Sequence, residues 1–211
     1  MTAVGMPVAA ARRAPLAPPV PRALIPGIGE PLPAGESLLW TGGPARAAVA
    51  RRVCHTRGIA LYFGALASFV LLGGLLDGDV RPSAAGAAML ALMGAVVLAF
   101  AHVYATLVAR TTVYAITERR LVLRIGVAIP AVLNVPLDRI DAVDLRAGSD
   151  GTGDVTVTLA GEARVAYLLL WPHARPWRYA RPQPALRGIP DAAAVGAALA
   201  DAVRAAREAE A

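Results

Sequence analysis

The sequence predicts an α+β membrane protein: a two-helix transmembrane hairpin joined to a cytoplasmic β-rich domain, with a C-terminal helix closing a small barrel. Three observations predict it. Ile59–Leu76 and Ser83–Ala109 are long runs without a charged residue. After Ala109 the hydrophobic period changes from helical to alternating. An amphipathic helical stretch then follows the strands. Composition agrees, since the chain has 211 residues, 56% hydrophobic and 17% charged, with a mean hydropathy of +0.53. That is too apolar for an ordinary soluble domain. One cysteine, Cys54, excludes an intrachain disulfide and a cysteine-based zinc site. The basic side of the +6 net charge is entirely arginine.

Residues 1–33 hold 8 of the 17 prolines and read as a disordered Pro-rich tail. Arg12-Arg13 is followed by Ala14-Pro15-Leu16 instead of an apolar run, so it carries no export signal. Residues 34–57 read as a basic juxtamembrane segment. Its Arg46, Arg51, Arg52 and Arg57 are candidate lipid contacts, each worth about 1 kcal/mol beside an anionic membrane surface.

Residues 58–109 are the expected hairpin. Ile59–Leu76 contains ten Ile, Leu, Phe or Val, which favour insertion by about 3–6 kcal/mol before edge losses. As a helix this run reaches about 27 Å, enough for one crossing. Ser83–Ala109 is longer than one bilayer core and requires tilt or protrusion. Asp77–Pro82 is the polar turn between them. Ala87, Ala91, Ala95 and Ala99, facing Ala60, Gly64 and Ser68, predict a packing ridge of small residues. Arginines flank both outer ends, while the turn has Arg81 alone, offset by Asp77 and Asp79. That asymmetry places both termini in the cytoplasm and the protein in the inner membrane, multi-pass.

Residues 110–211 are the expected cytoplasmic domain. Thr112–Thr117 and Leu121–Ile125 flank Glu118-Arg119-Arg120 as a β-hairpin. Ile140–Leu145, Asp154–Leu159 and Arg164–Leu170 read as further strands, the second with clean alternation. Pro190–Arg207 reads as a helix, with Pro190 at its first position, Asp191 at its positive end and Arg204 and Arg207 at its negative end. Val195, Leu199 and Val203 form its apolar stripe.

No enzyme signature is present. His55, His102 and His173 are far apart and lack carboxylates at ligand spacing, so no catalytic residue and no metal site are assigned. Gly148–Asp154 has the composition of a phosphate or calcium loop but neither the lysine nor the spaced acids, and reads as a hairpin turn. No cofactor is expected. His102, inside the second apolar run, is a weak candidate ligand for a chlorin magnesium, against a neutral histidine hydrogen-bonded near the headgroups. The densest unusual stretch is Leu168–Pro184, where two Trp, a Tyr, three Arg and four Pro combine. Trp171, His173, Arg175, Trp177, Arg178, Tyr179 and Arg181 are its partner-binding candidates, being mostly hot-spot residue types. The alternative is a stiff loop that packs its own aromatics. Arg175, Arg178 and Arg181, three apart, would share one face of an extended polyproline helix.

Gly35-Glu36-Ser37-Leu38-Leu39-Trp40 with Gly43-Pro44, the hairpin, and Tyr114-Ala115-Ile116-Thr117-Glu118-Arg119-Arg120-Leu121 resemble membrane-anchored bacterial pleckstrin-homology-like domains. Val135–Ile140, Gly151–Val155 and Leu170-Trp171-Pro172-His173-Ala174-Arg175-Pro176-Trp177 are similar to the photosynthetic complex assembly family of purple bacteria. The similarity spans roughly residues 30–205. It implies a pleckstrin-homology-like fold and a non-enzymatic, chaperone-like role in reaction-centre assembly. The partners it implies are reaction-centre subunits or other assembly factors and membrane lipid, with room for a homo-oligomer and no nucleic acid. The alternative function is an anionic-lipid-binding membrane module without a photosynthetic partner.

Overall fold

The computed structural model describes Ile25, Gly29 and residues 32–161 and 166–210. Most of the Pro-rich tail, including Arg12-Arg13, and residues 162–165 lie outside the described residues. Two long helices dominate the chain. Thr56–Asp77 (α2) and Val80–Thr111 (α3) are both long and apolar enough to cross a membrane. They follow a first strand, Leu38–Gly42 (β1), and a short helix, Arg46–Arg52 (α1). The turn between α2 and α3 is shorter than the sequence indicates: only Gly78 and Asp79 are non-helical. Pro82 falls in the first turn of α3, where its missing N–H costs nothing.

The α2–α3 interface is not the expected alanine ridge. Ala87, Gly94 and Ala105 are buried on α3, whereas Ala91, Ala95 and Ala99 are exposed, as are Ala60, Gly64 and Ser68 on α2. The reason is geometric. A strict four-residue spacing drifts about 40° per step around a 3.6-residue helix. Mixed steps of three and four stay on one face, as Ala87, Leu90, Gly94, Leu98, Ala101 and Ala105 do. Gly94 lets the backbone of α3 meet the Phe63 ring closely. Leu61, Phe69, Leu76, Leu92 and Phe100 point outward.

Beyond α3 the chain builds strands Val113–Thr117 (β2), Arg120–Ile125 (β3) and Ala131–Pro136 (β4), then a 3-10 turn at Leu137–Arg139. Ile140–Ala147 (β5), Thr152–Leu159 (β6), a single helical turn Tyr167–Leu170 (α4), Ala185–Pro190 (β7) and Ala192–Glu210 (α5) complete it. Two antiparallel sheets result, ordered β1-β2-β3-β4 and β5-β6-β7. The expected barrel is therefore not closed: among the described residues the sheets remain two separate hydrogen-bonded units. β1, from the segment expected to be juxtamembrane, pairs with β2 across the whole hairpin, Trp40 opposite Ile116 and Gly42 opposite Tyr114.

Alternation explains the core. Tyr114 and Ile116 of β2 and Leu121, Leu123 and Ile125 of β3 face inward with Val155, Val157, Leu186 and Ile189 of the second sheet. Ala115 and Val122 face the other way, where Ile25 and Leu32 bury against them. Ile25 and Leu32 of the Pro-rich tail thus cover part of that face. Helix α5 covers β5 and β6 with Val195, Leu199 and Val203, all buried. It begins at Ala192, because Pro190 ends β7 and Asp191 sits at φ 48°. The expected strand Arg164–Leu170 is a helical turn where it is described, a continuous apolar run being ambiguous between the two.

Candidate functional site

The segment Trp171–Pro184 folds back on itself. Ala174 pairs with Pro184, the Arg175 N–H donates to the Gln183 carbonyl at 3.0 Å and the Ala185 N–H donates to the His173 carbonyl at 2.8 Å. Trp177 stands at φ 65°. These features rule out the extended polyproline helix, which has no internal hydrogen bonds. The arginine row breaks with it. Arg175 turns aside to Asp144 at 2.8 Å, while Arg178 and Arg181 stay exposed at the tip.

His173, a partner-binding candidate by sequence, is 2% exposed. Its Nδ1 lies 2.6 Å from the Tyr114 hydroxyl and its Nε2 lies 3.1 Å from Thr112 Oγ1. The Arg187 N–H donates to the Tyr114 oxygen, so that hydroxyl donates to Nδ1 and the Nε2–H donates to Thr112. Burial, with Arg187 nearby, pushes the imidazole pKa down to about 3. His173 therefore locks the loop base to the end of α3. Trp171, at the same base, stacks on Tyr104 of α3 at 5.7 Å and 27°. Trp177, 84% exposed, and Tyr179, 59% exposed, meet edge-on at 6.4 Å.

Beneath this loop lies a cavity of about 920 Å³. It brings together the two sets of residues the sequence singled out separately. Arg51, Arg52 and Arg57 come from α1 and the start of α2, and Trp171, Arg175, Trp177 and Tyr179 from the loop. Arg46 is not part of its wall. Arg146 at the end of β5 and Arg187 on β7 add to it, making six arginines against Asp150 and Asp154. Alanines explain how α1 presents its arginines: Ala48, Val49 and Ala50 bury against Ala105, Val108 and β7, leaving Arg51 and Arg52 half-buried toward the cavity. Gly188, at φ 61°, admits Ala48 at a distance no side chain would allow, and its carbonyl accepts the Ala45 N–H at 2.8 Å.

The Gly148–Gly153 turn has a polar task in the structure. Asp150 accepts from both Arg51 and Arg52, the latter at 2.8 Å. Its carboxyl is held well below the usual carboxylate range, first by the Thr152 hydroxyl and then by these arginines. Asp154 accepts the Gly188 N–H at 2.7 Å and lies 3.7 and 3.8 Å from Arg52 and Arg187. The guanidinium groups of Arg57 and Arg146 have no hydrogen-bond or ion-pair partner among the described residues. Asp150, Arg146 and Arg187 were not legible as site residues. The aspartate sits in an ordinary turn motif, and the two arginines lie in strands with no local signature.

Two further sets lie elsewhere. His102 is exposed on α3 and its Nδ1–H donates to the Leu98 carbonyl at 2.8 Å, so the ring is tied to its own helix. At the far edge of the first sheet, Glu36 is almost fully buried. It accepts from Thr117 Oγ1 at 2.6 Å and Arg120 Nε at 3.0 Å. This gives the Gly35-Glu36 and Thr117-Glu118-Arg119-Arg120 motifs a shared structural role.

An uncharacterised 23.7 kDa protein in the puhA 5′ region of Rhodobacter capsulatus is 36% identical to this chain over 184 residues, covering 85% of each chain. A DUF1696 family protein with a pleckstrin-homology domain from Shewanella loihica PV-4 is 13% identical, with 44% of this chain and 71% of that chain covered. Its TM-score of 0.30 is too low to support a fold argument. The family model described as a bacterial PH domain matches residues 63–203, well over half of the chain, and the chain belongs to that family.

Proposed function

We propose that the chain is a non-enzymatic assembly factor for the photosynthetic reaction centre of purple bacteria, of the PuhB type. In this reading α2 and α3 cross the inner membrane, both termini lie in the cytoplasm, and the PH domain docks a reaction-centre subunit or another assembly factor. The observation that carries the docking role is the tip of the Trp171–Pro184 loop. Trp177, Arg178, Tyr179 and Arg181 are exposed there, on a base closed by the Ala174–Pro184 bridge and by buried His173. A rigid base lowers the ordering cost of presenting aromatic and arginine side chains, the types that dominate interface energies. The large apolar residues facing outward from the hairpin support a bilayer as its solvent. The relative in the puhA 5′ region supports the photosynthetic setting.

A strain lacking the chain is expected to accumulate less reaction centre while pigment synthesis continues. Normal reaction-centre levels would remove this function. In the complemented strain, Arg178→Ala with Arg181→Ala should lower reaction-centre yield without moving the thermal midpoint of the purified protein. Unchanged yield would make these arginines idle, and a midpoint that collapses with the yield would make them structural.

A further inference from the structure

We propose that the arginine cavity holds the phosphate of an anionic phospholipid headgroup, with Arg57 and Arg146 as its free cations. Arg51 and Arg52 are then shared between this ligand and Asp150. The inference rests on the hairpin lying in a bilayer and is independent of the assembly role. Six arginines meet Asp150 and Asp154 in the wall, and Asp144 engages Arg175 beside it. Three positive charges remain in excess around a space of about 920 Å³, ample for a phosphodiester headgroup. Asp150 satisfies Arg51 and Arg52 from within the chain, but nothing among the described residues pairs with the guanidinium of Arg57 or of Arg146.

Position favours lipid over other anions. Arg57 is the second residue of α2, where an uncharged apolar helix begins, and that is the level of the headgroups for a membrane-crossing helix. Trp171, Trp177 and Tyr179, which also line the cavity, are the residue types that settle at a membrane–water interface, and all three are exposed. Guanidinium groups suit phosphate because their fork of N–H donors matches its oxygens in pairs. Asp150 bridges two of those forks with one carboxylate, so it competes with an entering phosphate for the same donors.

The full chain in non-ionic detergent is titrated with short-chain phosphatidylglycerol, short-chain phosphatidylcholine, inorganic phosphate and a glutamate-rich peptide, with stoichiometry read by native mass spectrometry. One phosphatidylglycerol should bind per chain, more tightly than any of the other three. Arg57→Ala with Arg146→Ala should weaken it by roughly tenfold or more, from about two headgroup-level arginines lost. Asp150→Asn should tighten it by removing the internal competitor. Equal binding of the two lipids, an unaffected double-arginine variant, or weaker binding by Asp150→Asn would overturn the proposal. Tighter binding of free phosphate or of the peptide would give the cavity to a soluble anion or to an acidic protein segment instead. A chain that stays soluble without detergent would fail the bilayer reading itself, whereas a detergent-requiring chain that binds no phosphatidylglycerol would fail this proposal alone.

Discussion

His173 shows how one side chain ties remote parts of the chain together. It joins the loop base to Thr112, the residue that ends α3, and to Tyr114 of β2. Its ordinary value of 6.5 falls to about 3 in the folded protein, so the neutral ring is what folding stabilises. Unfolding then takes up a proton below pH 6.5, and stability is present above that value and lost as pH falls toward 3. Between pH 8 and pH 4.5 the loss from this group should be about 2–3 kcal/mol. Denaturation of the purified protein at both pH values measures it, and His173→Gln should flatten the dependence. A slope unchanged in that variant would assign the effect to other groups. Sequence alone showed His173 only as one member of an unusual run, because its hydrogen-bond partners are 59 and 61 residues away.

Helix α5 was legible because its stripe is local: Val195, Leu199 and Val203 recur at a helical interval and the structure buries all three. Its edges were not, since the β7 pairing of Pro190 with Thr152 outcompetes Pro190's fitness for a helix start. The Arg207 guanidinium donates to the Ile140 carbonyl at 2.6 Å, pinning the last turn to β5. Leu199→Ala should therefore cost about 2–5 kcal/mol of stability in a denaturant titration, the range for emptying a packed leucine site. A loss well under that range would mean the helix repacks or leaves the sheet easily. The α2–α3 pair marks the opposite case. Apolar length announced both helices, while the contact face depended on the phase of a 3.6-residue helix against its neighbour, and alanine-rich sequence offers several equally smooth ridges.

At the scale of the whole molecule, the chain interrupts one PH domain with a membrane hairpin in the proposed reading. β1 precedes the hairpin and β2 follows it, yet they are neighbours in one sheet, so both ends of the hairpin must lie on the same side. A reporter active only in the periplasm should therefore work when fused at Gly78 and stay silent at Ala211; activity at Ala211 would overturn this topology. The sequence by itself determined what depends on local averages: two apolar helices, the alternating strands β2, β3 and β6, and a closing amphipathic helix. Composition over twenty residues and a period of two or 3.6 are written into adjacent positions. Tertiary structure alone decided that β1 joins the domain, that two sheets stand open where a barrel was expected, and that Arg51, Arg52 and Arg57 share one cavity with the Trp-rich loop. Arg52 and Asp150 are 98 residues apart, and Thr41 donates to the Tyr114 carbonyl across 73 residues. No local period encodes such pairs, because they form only when burying the hydrophobic faces of β2, β3, β6, β7 and α5 together brings distant backbone into register.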